Sequence, residues 1–352
     1  MLIFLSFLTL VSSQSLEKNY CRKFKCAPVT VRMNTTTCIY SDLLYLTYYL
    51  KICPSTAPYC APDFNTVANV TCSSTKANIS YSSYPGEPCN VTTDCVFGTC
   101  LSGICFGANP QEACKSHGNC NPGLRCSGLK CVPLLKVGEK GCESDYDCED
   151  SLGCNKNTTT GVCVPFFSLR NGAKISICNP AGQGGHSYLC DSGVCLGTSW
   201  RTAAGVCSEA PVSEHNNPKE CTYSSDCKGY TEVFNYTGKC VCGVNPYATS
   251  YCQPFFGDLQ GAKYLKALKG FFRGGLVKQC NTERRYSKEC WDLFTYSDLY
   301  KSLFKAQYEF ENFPKLQNND LCIQSIYFKD YYNPTYSGSL NTLVAISLFL
   351  AL

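Results

Sequence analysis

The sequence predicts small disulfide-rich modules, short β hairpins and loops in tandem, followed by a mainly α-helical C-terminal block. Three observations predict it. Cysteine supplies 30 of 352 residues, the density of a disulfide scaffold. Through the middle of the chain these cysteines recur at nearly fixed spacing. After Cys252 they thin to Cys280, Cys290 and Cys322, and apolar residues fall into helical spacing.

The chain opens with MLIFLSFLTLVSSQS. A short apolar core, Leu2 to Val11, is followed by small polar residues, and Val11 and Ser13 suit the −3 and −1 positions of signal peptidase. Residues 1–13 are therefore expected to be a signal peptide, cleaved before Gln14. An exported chain meets an oxidising compartment, so the cysteines are expected to pair as disulfides. Metal binding is the weaker use. No C-x-x-C occurs, and the histidines are only His117, His186 and His215. No metal and no cofactor is expected.

Residues 14–85 are expected to form an N-terminal disulfide-pinned subdomain, with six irregularly spaced cysteines from Cys21 to Cys72. Within it, SDLLYLTYYLKIC (41–53) predicts a helix. Ser41 or Asp42 would cap it, with Leu43, Leu46, Tyr49 and Leu50 on one face.

Residues 86–254 carry the repeat. The first copy has Cys89, Cys95, Cys100 and Cys105. The second has Cys114, Cys120, Cys126 and Cys131, and the third Cys142, Cys148, Cys154 and Cys163. Each follows C-x5-C-x4/5-C and closes on a fourth cysteine after a short turn. Cys178–Cys207 keeps four cysteines with wider gaps, and Cys221–Cys242 returns to C-x5-C. Units this short cannot bury enough apolar surface to fold alone, so cross-links take the place of a core. Four cysteines allow three pairings, and spacing does not choose among them.

Residues 255–336 predict helices. Asp258 would cap the first, with Leu259, Ala262, Leu265, Leu268 and Phe272 near one face. Lys263, Lys266, Lys269, Arg273 and Lys278 give that stretch five positive charges with no acid between them. An ordinary solvated face is the preferred reading, and contact with an anionic membrane surface the alternative. A second helix is predicted over 287–310, with Trp291, Phe294, Leu299, Leu303 and Phe304 inward.

The chain ends on SGSLNTLVAISLFLAL. As a helix, Leu340–Leu352 would reach roughly 20 Å, short of the ~30 Å hydrocarbon core of a bilayer. Small residues before a terminal apolar run form the pattern of a glycosylphosphatidylinositol (GPI) attachment signal, so 337–352 is expected to be that signal, with Ser337 the attachment residue. The chain would then be held at the cell surface, on the extracellular face of the plasma membrane, by its lipid in the outer leaflet. The modules would project as a rod, with the helical block nearest the membrane. Six N-x-S/T sequons agree with export: Asn34, Asn69, Asn78, Asn90, Asn157 and Asn235.

The phrases ESDYDCEDSLGC and TTDCVFGTCLSGIC resemble the Dickkopf N-terminal and colipase-like cysteine-rich modules. They are also similar to the cysteine-repeat, lipid-anchored surface proteins of ciliates and other protozoa. The resemblance covers about Cys89–Cys242. It implies a non-enzymatic surface protein.

The formal net charge of +4 is small for this length and argues against nucleic acid as a partner. GxSxG, HExxH, P-loop and dinucleotide motifs are all missing, so no catalytic residue is expected. Asp145, Asp147, Glu149 and Asp150 cluster in the third copy, where a solvated acidic loop is expected in preference to a calcium site. The sequence therefore points to a disulfide-stabilised surface glycoprotein for recognition, adhesion or protection, with an extracellular protein or glycan as ligand. A secreted signalling ligand or antagonist is the alternative.

Overall fold

The computed structural model describes residues 82–316 apart from 157–159, 179–184, 200–201, 216–217 and 244. Before them it describes 21, 23–26, 37–42, 47–52, 56–57, 59–60 and 72–74. The signal-peptide and anchor segments lie outside the described residues.

In the first three modules a tight turn leads to a single-turn 3-10 helix and then to a β hairpin. The first has the turn of helix at Thr92–Asp94 and strands Thr99–Leu101 and Ile104–Phe106. The second has His117–Asn119, Leu124–Ser127 and Lys130–Pro133. The third has Asp145–Asp147, Leu152–Asn155 and Gly161–Pro165, with Lys140–Cys142 added as a third strand. In the first hairpin Ser102 and Gly103 both take positive φ, 52° and 81°, the twist that a two-residue turn between antiparallel strands requires.

All five modules share one connectivity: first cysteine to third, second to fourth. The pairs are Cys89–Cys100 and Cys95–Cys105, Cys114–Cys126 and Cys120–Cys131, Cys142–Cys154 and Cys148–Cys163. The wide-gapped fourth copy keeps the rule with Cys178–Cys195 and Cys190–Cys207, as does the fifth with Cys221–Cys240 and Cys227–Cys252. The hairpin explains the choice. It sets the third and fourth cysteines opposite each other, Cys100 against Cys105 and Cys126 against Cys131, so each reaches back to its own earlier partner. Cys242, the extra cysteine of the fifth module, bonds to Cys21 and ties the N-terminal segment to it.

The same backbone bonds recur. The N–H groups of Gly86, Gln111, Gly138 and Gly172 donate to the carbonyl of the fourth cysteine in their respective modules. Those cysteines donate back to Glu87, Glu112, Glu139 and Ala173. Each unit therefore begins several residues before its first cysteine.

The N-terminal segment departs from expectation. Residues 41–42 and 47–52 of the predicted helix are strand: Thr37–Asp42 and Thr47–Ile52 pair antiparallel, and Lys23–Cys26 joins in parallel. TCIYSD and TYYLKI are rich in β-branched and aromatic residues, and pairing with each other outweighs the helical spacing of Leu43, Leu46, Tyr49 and Leu50.

The C-terminal block holds α1 (Leu259–Arg273), α2 (Lys288–Trp291) and α3 (Asp298–Leu316). The predicted second helix is broken at Thr295–Ser297 and runs on to Leu316. Trp291, Phe294, Leu303 and Phe304 face the core, but Leu299 is exposed. The buried face of α1 is Gly261, Tyr264, Leu268, Phe271 and Phe272, a quarter-turn away from the predicted one, and Leu259 and Ala262 are exposed. Asp258 stands at the N-cap position, but its carboxylate accepts from Phe255 N, Ser213 N and Ser213 Oγ, fastening α1 to the fifth module.

The largest core is shared. Phe166, Phe167, Ile175 and Leu189, beside the disulfides of the fourth module, pack with Tyr264, Leu268, Phe271, Phe272, Phe294, Leu303 and Phe310 of the helical block. The block does not continue outward from a rod of modules. It folds back along them.

Candidate functional site

Each single-turn 3-10 helix is closed by the residue just before the second cysteine. Asp94 accepts the N–H of Asn90 and Val91, Asn119 those of Lys115 and Ser116, Asp147 those of Glu143 and Ser144, and Asp226 those of Thr222 and Tyr223. These bonds lower the carboxyls of Asp94 and Asp226 below the ordinary aspartate value of 3.8. The fourth module has Leu189 at this place and lacks the device.

The acidic cluster of the third module is not the solvated loop expected from sequence. Asp147 and Asp150 are buried. Into the cluster comes Arg285, itself fully buried, donating to Cys148 O at 2.7 Å and to Asp145 O, with Asp150 Oδ1 at 3.9 Å. Burial raises the carboxyls of Asp145 and Asp150, and Arg285 opposes that rise. The Arg285 guanidinium also lies 4.8 Å from the Tyr286 ring centroid. Asp145 and Asp150 thus sit in an internal joint with Arg285, Asp147 pairs with Arg125 of the second module at 3.3 Å, and Glu149 alone is exposed as expected.

Arg285 ends a strip that crosses three modules. Asn281 Nδ2 donates to Gly118 O and Cys120 O of the second module. Thr282 Oγ1 donates to Tyr146 O of the third. Arg284 pairs with Glu87 of the first at 3.3 Å and lies 5.0 Å from the Tyr84 ring centroid. The Cys280–Cys290 disulfide closes a loop around the strip. No short motif announces this joint; its one signal in the sequence is the adjacent pair Arg284-Arg285 between Cys280 and Cys290.

Of the other predicted positions, Asn90 and Asn235 are exposed, as acceptors of a glycan must be. Asn34, Asn69, Asn78, Asn157 and Ser337 lie outside the described residues. Lys263, Lys266, Arg273 and Lys278 are exposed, while Lys269 pairs with Asp191 at 2.7 Å. In four modules three cysteine sulfurs lie within 4.8 Å of one another, but every one is in a disulfide and none is a thiolate ligand. A cleft of about 220 Å³ between the third module and α1 is lined by Phe167, Phe272, Lys269 and Arg273 among others, smaller than a typical small-molecule site. Among the described residues no helix is long and apolar enough to cross a membrane.

The outer faces of the hairpins differ. In the first module Leu101, Ile104 and Phe106 are 54%, 49% and 44% exposed. In the second the matching places hold Ser127, Lys130 and Val132. In the third they hold Asn155, Val162 and Val164, and Val164 packs on the shared core.

No family model matches the chain, and no solved structure matches it significantly. The chain is similar to cell-cell adhesion glycoprotein 64 of Heterostelium pallidum, 30% identical over 164 residues. The match takes in 47% of this chain and 43% of the relative, so the chain spans less than half of that protein's length.

Proposed function

We propose that the chain is a non-enzymatic cell-surface glycoprotein of adhesion or recognition, held in the outer leaflet by a GPI anchor. The observation that carries this reading is the similarity to a protein named for cell–cell adhesion. It is supported by five modules stapled by ten disulfides, a scaffold suited to an oxidising exterior. It is supported too by exposed sequons at Asn90 and Asn235 and by the signal-peptide and anchor patterns at the two ends. The ligand would be an extracellular protein or glycan.

The test is expression of the full chain on a non-adherent cell. The expected result is aggregation of the expressing cells, lost after phosphatidylinositol-specific phospholipase C, with the released peptide ending near Ser337. Cells that stay single would overturn the adhesion reading. Protein that resists the enzyme would remove the GPI anchor, and protein found in the medium with its tail intact would replace the reading with a secreted ligand.

A further inference from the structure

The two long helices of the C-terminal block treat charge differently. In α3 the signs mix: Asp298, Lys301, Lys305, Glu309, Glu311 and Lys315 balance, and Lys301 pairs with Asp298 at 3.6 Å. In α1 stand Lys263, Lys266, Lys269 and Arg273, with no acid anywhere from Leu259 to Arg273. At 3.6 residues per turn these four fall within about a third of the helix circumference and run roughly 15 Å along its axis. Lys263, Lys266 and Arg273 are exposed, while Lys269 is half-buried and pairs with Asp191 at 2.7 Å. The whole chain has 31 cations against 27 acids, so outside α1 the two signs balance.

Folding does not ask for this stripe. Like charges three and four residues apart, as in Lys263 with Lys266 and Lys269 with Arg273, weaken a helix. The helix dipole favours Arg273 in the last turn but gives nothing to Lys263 and Lys266. Solvation would be served as well by the mixed signs of α3. At its C-terminal end the stripe runs into the cleft of about 220 Å³, which Lys269 and Arg273 line together with Ser151 and Ser168.

We infer that Lys263, Lys266, Lys269 and Arg273, with the cleft at their end, form a binding site for an acidic glycan chain, one that carries sulfate or uronate groups. This rests on the reading above of an extracellular recognition protein and names the class of its ligand. Charge complementarity selects an anion, and a line of cations along one helix face suits a linear polyanion. A membrane surface fits less well. A helix that lies in a bilayer buries its apolar face there, and on α1 that face, Tyr264, Leu268, Phe271 and Phe272, is already in the shared core. An acidic protein segment fits less well too. Such contacts are anchored by buried aromatic and apolar side chains, and the exposed side of α1 offers only Leu259 and Ala262. A glycan needs neither. The cleft is smaller than a typical small-molecule site, so it takes one group of a longer chain, with two cations and two hydroxyls to bond it.

The test measures binding of the purified full chain to immobilised heparin, to uncharged dextran and to vesicles of phosphatidylserine in phosphatidylcholine. Lys263→Glu with Lys266→Glu is compared with Lys130→Glu with Lys136→Glu, the same charge change at exposed lysines of the second module. Equal melting temperatures check that the fold is kept, and Lys263→Gln with Lys266→Gln repeats the test without charge reversal. The wild type is expected to bind heparin and not dextran, more weakly as salt rises. The α1 variant should bind about tenfold more weakly with a flatter salt dependence, and the second-module variant should be little changed. A wild type that ignores heparin, or an equal loss in the two variants, overturns the inference. Vesicles bound as tightly as heparin overturn the glycan assignment in favour of a lipid surface. Cells that aggregate while the chain ignores heparin keep the adhesion reading and sink the glycan site. Cells that stay single while heparin binding depends on Lys263 and Lys266 do the reverse.

Discussion

The first and third modules share the C-x5-C opening, the disulfide connectivity and the pairing of third with fourth cysteine across the hairpin, yet one is open and the other enclosed. In the third, the small core of Cys142, Cys148, Leu152, Cys154 and Cys163 is backed by Arg285, Phe166 and Leu189. In the first, Leu101, Ile104 and Phe106 face outward, and the links to the helical block include the pair of Arg284 with Glu87, beside the Tyr84 ring, and the close approach of Gly86 to the Gln279 carbonyl. The disulfides hold the frame in both, which frees the remaining side chains for different ends. The third module uses them for internal attachment. The first leaves them facing solvent.

The largest expected effect on this contrast comes from Arg285→Ala. Removing a fully buried cation strands Asp150 and two backbone carbonyls, and such losses run to about 3–5 kcal/mol. Denaturant unfolding should show a loss of that size, with the third module separating from the helical block. A loss near zero would mean that Arg285 does not lock the joint. Next is Gly153→Ala. A Cβ there would sit 2.6 Å from Leu189 Cδ2 and 2.7 Å from Phe166 Cε1, so about 1–3 kcal/mol of overpacking is expected. The matching position in the first module is Thr99, exposed, where Thr99→Ala should stay within about 0.5 kcal/mol. Equal melting shifts for the two variants would erase the distinction between enclosed and open modules.

The repeat, its short hairpins and the later turn to helices are all legible in the cysteine spacing and apolar periodicity. The closing residue was legible too: Asp94, Asn119, Asp147 and Asp226 each stand immediately before the second cysteine, a local rule visible in one line of sequence. The joint was not. The acids at 145–150 look solvated until Arg285, more than a hundred residues later, is brought among them, and only long-range packing does that. The face of α1 was misjudged for a related reason. Leu259 and Ala262 match the helical period, but what lies beside the first turn is the fifth module, reached through Asp258 and Ser213. At 41–53 the error was local: helical spacing was weighed without the pairing partner Thr37–Asp42.

The finest contrast is in acid. Asp94 is held below 3.8 by the N–H groups of Asn90 and Val91, so its contribution is present above that value and lost as pH falls through its lowered folded pKa. Asp145 and Asp150 are raised by burial. Their contribution is complete below 3.8 and is lost as pH rises through their higher folded pKa values. On acidification the third module's carboxyls should therefore take protons first, while Asp94 still holds its turn. The turn of the first module should loosen only below 3.8, seen as shifts of the Asn90 and Val91 amide resonances. The second module closes the same turn with Asn119, whose carbonyl does not titrate in this range. Asp94→Asn should thus leave the first module folded at neutral pH and remove the acid dependence of those two amides. If the variant's amides still move with pH as in the wild type, the cause is another group, and the carboxylate is not what ties the turn.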